Sequence, residues 1–165
     1  MTNLNKTTST NYQLAIPLIP SETSIEASKE LVLNIYGTVI PGLSLDQTES
    51  KWQGNKMLFH SGGLTYDTWE IQFLVDSEYK NWMLLYNWIN SVANNYDQPS
   101  ARPADYQVDC SLKITDNFQN TVMKVILKNT WIQNLGVVTL SQREGEAQVE
   151  CSATLVFDRL EVIEL

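Results

Sequence analysis

Apolar and polar residues alternate along several stretches of the chain, and this period of two predicts β-strands. Residues 106–115 (YQVDCSLKIT) place apolar side chains at every even position and polar ones at every odd position. Residues 68–76 (TWEIQFLVD) do the same, broken only by Leu74. Successive side chains of a strand point to opposite faces of its sheet, so each stretch is expected to form a half-buried strand. Further short β-like segments lie at 12–18, 30–40, 121–132, 136–142 and 147–158.

After residue 76 the pattern changes to the helical period. It predicts a helix over 77–94, capped by Asp76 or Ser77. One apolar stripe follows this helix and consists of Trp82, Leu85, Tyr86, Ile89, Val92 and Ala93. The stripe is expected to pack against the apolar face of the preceding strand, which consists of Trp69, Ile71, Phe73 and Val75. Leu84 and Trp88 lie beside the stripe as an i,i+4 pair, and because exposed apolar patches usually mark a contact, they are expected to meet a neighbouring molecule.

The rest of the chain sets the fold class. Residues 43–60 are β-like but polar, which predicts a hairpin that projects from the core with its tip at Gly54-Asn55. Residues 1–10 are rich in Thr, Asn and Ser and predict a flexible arm, while 11–165 is expected to form one domain. We expect a mainly β fold: a two-sheet antiparallel sandwich or barrel of about eight strands with one flanking helix.

Composition excludes several functions. The net charge is −8 and the eleven basic residues are scattered, so a strong grip on nucleic-acid phosphates is not expected. The apolar runs are too short for a transmembrane helix, and the first residues lack the pattern of a secretion signal. Synthesis and assembly are therefore expected in a cytoplasm, with no membrane anchor.

No cluster of residues indicates catalysis. His60 is the single histidine and precedes Ser-Gly-Gly without a nucleophile elbow, so a surface or turn position is the favoured interpretation. The acids of REGE (143–146) fit a solvated turn better than a catalytic carboxylate pair. Cys110 and Cys151 fall on apolar strand positions, which predicts two buried free thiols rather than a metal site. No enzyme activity, metal or other cofactor is expected.

Four segments, in their order, resemble the tail tube protein family of contractile-tailed bacteriophages of the T-even type. They are VIPGL at 39–43, LTYDTWEIQFLVDSEYKNWMLLYNWI at 64–89, RPADYQVD at 102–109 and KNTWIQNLGVVTLSQREGEAQVECSATLVFD at 128–158. The specific parts are a Trp-bearing strand that feeds an amphipathic helix, a Pro-Ala-acid-Tyr strand opening, and a Trp-x-x-Asn-Leu-Gly turn. The resemblance covers residues 12–158. It extends to the Hcp tube of type VI secretion, which shares the fold.

The resemblance implies a structural virion protein. In that family hexameric rings stack into the inner tail tube, and strands of every copy join one barrel around a lumen. The implied partners are further copies of the chain, the tail sheath protein, the tape measure protein, baseplate and tail terminator proteins, and DNA that passes through without sequence-specific binding during genome ejection. The implied location is the virion tail, after assembly in the host cytoplasm.

Strand alternation combined with that architecture predicts the contact residues. Those expected to line the lumen are Asn34, Asp46, Gln107, Asp109, Ser111, Lys113, Lys124 and Lys128. The lysines would oppose a purely repulsive lumen unless they pair with Asp46 or Asp109 across strands. The hairpin is expected to reach a neighbouring subunit or the next ring through Asp46, Glu49, Lys51, Trp52 and Asn55. Leu84 and Trp88 are expected to contact the sheath or a neighbour.

Other roles stay open on the sequence alone. A baseplate tube initiator and an Hcp-type secretion tube share this domain. The arm 1–10 and the segments 19–28 and 159–165 look longer than in the family, and they would fit sheath contact, ring stacking or an initiator. A small-ligand-binding β-barrel, with the aromatic cluster of 65–92 as its pocket, belongs to a different class. Rings or tubes in negative-stain micrographs would separate the assembly roles from ligand binding.

Overall fold

The structure, a computed structural model, describes residues 8–17, 29, 31, 32, 34–96, 103–141 and 148–164. These ranges contain nine strands and one long helix. The strands are β1 (Tyr12–Ala15), β2 (Ile35–Thr38), β3 (Leu43–Trp52), β4 (Asn55–Tyr66), β5 (Trp69–Leu74), β6 (Val108–Thr115), β7 (Thr121–Leu135), β8 (Glu150–Val156) and β9 (Arg159–Glu164). The helix α1 is Lys80–Tyr96, and a short 3₁₀ turn, Pro103–Asp105, precedes β6.

Strand β7 belongs to two sheets. Its first part pairs with β6 and β9, and residues 131–135 pair with β8. The front sheet therefore has the order β1-β6-β7-β9, and the rear sheet has the order β7-β8-β5-β2, with every pairing antiparallel. The hairpin β3-β4 forms a separate two-stranded sheet. The predicted fold class, a mainly β two-sheet architecture with one flanking helix, is confirmed.

One apolar core lies between the two sheets and the helix. The front sheet contributes alternate residues, among them Cys110, Leu112, Val125 and Leu127. The rear sheet contributes Trp69, Ile71, Phe73, Ala153 and Leu155. The alternating burial along β5 and β6 confirms the strand faces predicted for these segments. The indole Nε1 of Trp69 donates to Thr38 Oγ1 over 2.8 Å, so this buried aromatic is also satisfied as a hydrogen-bond donor.

The crossing of β7 from one sheet to the other occurs at Asn129. Its φ of 55° is in the left-handed region, which Asn tolerates better than most residues. Its backbone N–H donates to Asp109 Oδ1 (3.0 Å), and its Nδ2 donates to Asp158 Oδ2 (2.9 Å). At the next residue, the buried Oγ1 of Thr130 donates to the Leu127 carbonyl (3.1 Å). Strands that bend from one sheet into another make the corners of crossed two-sheet packings.

Helix α1 begins differently from the prediction. It starts after Tyr79, whose φ is 58°, so the predicted cap at Asp76 or Ser77 and the predicted start at 77 are wrong. Buried Asn81 supplies the connection instead. Its Nδ2 donates to the Leu74 carbonyl (2.7 Å), and its Oδ1 accepts from the Asp76 N–H (3.1 Å). This amide ties the end of β5 to the first turn of the helix and leaves neither of its polar groups unpaired.

Two predicted strands are corrected. In the segment 30–40, the described residues 31, 32 and 34 are helical, and pairing starts only with β2. Residues 136–141 form no strand, and Val137 is 88% exposed, because an alternating pattern does not create a strand without a partner to pair with. Most of the predicted arm (1–7) and the REGE turn (143–146) lie outside the described residues.

Two of the segments that carry the family resemblance meet in the core. Trp88 Nε1 donates to the carbonyl of Tyr106, in the Pro-Ala-acid-Tyr segment, over 2.8 Å. At the end of the Trp-x-x-Asn-Leu-Gly turn, the Gly136 N–H donates to the Ser152 carbonyl over 2.7 Å. A Cβ on Gly136 would lie 2.7 Å from that oxygen, so the close approach of the two chains requires glycine.

Both cysteines are free and buried, as predicted. Burial raises the pKa of the Cys110 thiol to about 12 and also raises the pKa of Cys151. Both side chains therefore stay neutral and act as small apolar residues of the core.

Candidate assembly surfaces

The front sheet presents a charged outer face, which we call the front face. It is made of the alternate residues of the front-sheet strands that point away from the core. Directly opposite one another lie Lys113 and Lys124, and, further along, Lys128 and Arg159. The front face consists of Gln13, Ala15, Asp109, Ser111, Lys113, Lys124, Ile126, Lys128, Arg159, Glu161 and Ile163.

Five of the residues predicted to line a lumen share the front face: Asp109, Ser111, Lys113, Lys124 and Lys128. The other three do not. Asn34 lies in a helical turn before β2, and Asp46 lies in the hairpin beside Gly62. Gln107 precedes β6, where its N–H donates to the Pro103 carbonyl (3.0 Å). Alternation thus grouped the residues of β6 and β7 on one face, whereas Asn34 and Gln107 lie outside strands and Asp46 lies in β3, which belongs to a separate sheet.

One predicted cross-strand pair is present on the front face. Lys128 Nζ lies 2.6 Å from Asp109 Oδ2. Hydrogen bonds from Lys128 and from the Asn129 N–H lower the pKa of Asp109, and the carboxylate in turn raises the pKa of Lys128. Both side chains remain partly exposed, so solvent screens the pair.

Replacing Asp109 with Asn is expected to lower the melting temperature at neutral pH by about 1–4 °C, as the loss of one screened pair should. Because the folded-state pKa of Asp109 is lowered, its contribution is present above the unfolded value of about 3.9 and is lost as pH falls through the folded value. The difference between variant and wild type should therefore shrink in acid. Glu70→Gln, on an exposed rear-sheet position, is the control, and an equal effect of both variants at neutral pH would contradict the prediction.

The hairpin β3-β4 is exposed along almost its whole length, and it extends beyond the predicted 43–60 to Tyr66. Its tip is Gln53-Gly54, both with positive φ, one residue before the predicted Gly54-Asn55. An isolated two-stranded hairpin is at best marginally stable in water. This hairpin is therefore expected to be stabilised by contact with a partner.

The two faces of the distal hairpin differ. Register places Trp52 (68% exposed), Met57 and Phe59 on one side, which we call the hairpin face. The residues predicted to make contacts are divided between the sides: Trp52 and Asn55 lie on the hairpin face, whereas Glu49 and Lys51 lie on the opposite side. Asp46 lies at a shift in register. Met57 and Phe59, which were not among the predicted contacts, lie on the hairpin face because they pair with Ser50 and Thr48, on the same side of β3 as Trp52.

The predicted contact pair on the helix is wrong. Leu84 is 2% exposed and Trp88 is fully buried, so neither side chain is available to a sheath or a neighbour. The buried side of α1 is centred on Asn81, Leu84, Leu85 and Trp88, about one position away from the predicted stripe. Tyr86, predicted in the core, is 42% exposed. The rest of the predicted stripe does lie toward the core: Leu85 is buried, and the partly buried residues packed against the core include Trp82, Ile89 and Val92.

A different side of the helix is exposed, and we call it the helix face. It consists of Tyr79, Met83 and Tyr86, spaced i, i+4 and i+7. Tyr86 stacks on Trp82 with ring centroids 5.3 Å apart. The buried Nε1 of Trp82 has no hydrogen-bond acceptor among the described residues, a state that costs about 1–3 kcal/mol. After Lys80 the helix carries no charged residue, which is unusual for a surface helix and common at interfaces.

The described ranges hold no group of three or more His, Cys, Asp or Glu that could bind a metal ion. In the same ranges, no helix is long and apolar enough to cross a membrane. His60 lies on exposed β4 opposite Gln47, which agrees with the surface position predicted for it.

A family model described as phage tail tube protein matches residues 3–162. The tail tube terminator protein of Enterobacteria phage T4 is 23% identical over 168 residues, which cover 96% of this chain and 89% of that protein. Among solved structures, the tube terminating cap of the anti-feeding prophage gives a TM-score of 0.65 at 12% identity, covering 100% of this chain and 95% of that chain. The sheath/tube terminator of the extracellular contractile injection system PVC gives a TM-score of 0.60 at 17% identity, and the match covers 78% of this chain and 84% of that chain. At these identities the structural matches show the fold.

Proposed function

Because the chain belongs to the phage tail tube protein family, we propose that it is a structural tail protein that ends a tube of this kind as its terminator ring. The observation that carries the proposal is the match to the T4 relative, which is described as a tail tube terminator and is aligned over 96% of this chain. The sequence alone favoured the tube subunit, and tube and terminator share the domain. The length of the match to a terminator moves the proposal to that role.

In the proposed ring, further copies of the chain are the first partners, arranged as a hexamer with the front face toward the lumen. This orientation is supported by the five predicted lumen residues that lie together there. A heterologous contact that closes after a fixed rotation gives such a ring. The front face is mostly polar or charged and holds no aromatic residue, which suits the wall of an aqueous channel.

The hairpin face and the helix face are the proposed contacts with neighbours. The hairpin projects and exposes apolar residues that a second subunit, in the same ring or in the adjacent tube ring, would cover. The helix face is proposed to meet the sheath, taking the place of the buried Leu84 and Trp88. Tail sheath, tape measure and baseplate proteins, with DNA in the channel, complete the proposed set of partners, and the proposed location is the virion tail.

Imaging the purified chain tests the terminator role. A terminator is expected to form discrete rings that do not grow into tubes as the protein concentration rises, and antibodies to it should label one end of isolated tails. A tube subunit would instead polymerise into long open tubes and label the tail along its length, and that result would contradict the proposal. Label at the baseplate end would also contradict it and would favour an initiator. A chain that stays monomeric and binds a small molecule would contradict all three assembly roles, namely terminator, tube subunit and initiator.

A further inference from the structure

We propose that the front face binds the phosphate backbone of nucleic acid without reading its sequence, through Lys113 and Lys124 with Lys128 and Arg159 beside them. The proposal stands on this sheet face and does not rest on the terminator role.

The front face has the opposite charge to the molecule as a whole. It holds four of the eleven basic residues but only two of the nineteen acidic ones, Asp109 and Glu161. Its formal charge is therefore +2 in a chain whose net charge is −8, so the remainder carries −10. A cationic surface on an acidic protein concentrates anions at that surface and repels them elsewhere, which selects the face as the contact.

The pair Lys113–Lys124 is the centre of the site. The two residues are directly opposite in the β6-β7 register, an arrangement that destabilises a sheet when the charges are alike. Neither forms an ion pair with a described residue, whereas Lys128 pairs with Asp109 and Arg159 lies 3.5 Å from Glu161. Because the fold itself leaves this pair without compensation, an external anion is the partner that would stabilise it.

The spacing indicates a polymer rather than a single small anion. Lys124 and Lys128 are four residues apart on β7, which separates the two basic rows by about 13 Å. Along a DNA strand one phosphate occurs per 3.4 Å of axis, so the rows would span about four phosphates. Between the rows lie Ser111, Ile126 and one acidic residue, Glu161, which are neighbours across β6, β7 and β9.

The cations suit contact with a phosphate backbone. Three of the four are lysines, which bind phosphate as mobile point charges and impose no fixed contact geometry. Contacts of this kind carry no sequence information and suit a backbone that slides. Six copies around a ring would add their contributions by multivalency.

Fluorescence anisotropy with a short labelled DNA duplex tests the proposal on the full chain. Binding is expected at low salt, with an affinity that falls steeply toward physiological ionic strength. Lys113→Gln/Lys124→Gln should weaken binding about tenfold or more and lower the slope of log affinity against log salt by about 2. Each single substitution should give about half of that change in slope, which keeps the test informative if the double variant folds poorly.

The control is Lys29→Gln/Lys80→Gln, which removes the same charge from exposed positions off the front face. This control variant should keep nearly all of the affinity for DNA and nearly the same slope of log affinity against log salt. Equal losses in both double variants, or no binding by the unmodified chain even at low salt, would overturn the proposal. Tighter binding of polyglutamate than of DNA at equal charge would also overturn it and would assign the face to an acidic protein.

Discussion

Replacing Trp88 with Ala is expected to lower the free energy of unfolding by about 3–5 kcal/mol, the range for removing a large buried aromatic. The indole is fully buried between the helix and the sheets, and its Nε1 donates to the Tyr106 carbonyl. The substitution leaves a cavity and also takes away the donor that this carbonyl uses. Urea unfolding followed by tryptophan fluorescence and circular dichroism measures the loss.

Met83→Ala is the control for this experiment, because Met83 lies in the same helix on the exposed helix face. Its effect on unfolding should stay within about 0.5 kcal/mol, as for most surface substitutions. If Trp88→Ala costs no more than Met83→Ala, then Trp88 does not lie in the core and the original assignment of Leu84 and Trp88 to a contact would have to be restored.

The second large effect is expected on assembly. Changing the hairpin face to serine (Trp52→Ser, Met57→Ser, Phe59→Ser) should leave the unfolding of the subunit core unchanged, because the hairpin forms a separate sheet. It should weaken ring formation on the order of a thousandfold, since each buried apolar side chain contributes about 1.5–3 kcal/mol. Analytical ultracentrifugation measures this under conditions in which the unmodified chain forms rings.

The matched variant changes three positions on the opposite side of the same hairpin: Gln47→Ser, Leu58→Ser and His60→Ser. It removes one large apolar residue instead of three and should assemble almost normally. Rings that form equally well from both triple variants would show that the hairpin face makes no contact between subunits. Equal loss in both would indicate that the hairpin acts through its backbone rather than through one face.

The strand faces could be predicted from the sequence because alternation is a local property. Asp109, Ser111 and Lys113 on β6, and Lys124 and Lys128 on β7, were predicted to share a face from the order of residues alone, and the pairing of β6 with β7 places them together. The pattern specifies the face of a strand but not whether a partner strand exists. For that reason the alternation at 136–142 suggested a strand that the described residues do not form.

Helix α1 shows why the buried side of the helix could not be predicted from the sequence. Buried Trp88 donates its N–H to the Tyr106 carbonyl, eighteen residues away, and the buried amide of Asn81 donates to the end of β5. Both hydrogen-bond acceptors lie outside the helix, so the helical period of the sequence does not reveal them. A stripe chosen by hydrophobicity alone excluded polar Asn81 and so turned the predicted buried side by about one position, which exchanged the roles of Trp88 and Tyr86.

The order of the strands also decides when a newly made chain can fold. β1 pairs with β6, with Tyr12 opposite Ile114, and β5 pairs with β8, with Trp69 opposite Leu155. Since β7 serves both sheets, neither is complete until β8 and β9 have left the ribosome. Pairing between such distant segments folds slowly and leaves sheet edges open to aggregation meanwhile. The edges of both sheets therefore stay unpaired on the nascent chain until its last strands emerge, and aggregation is most expected in that interval.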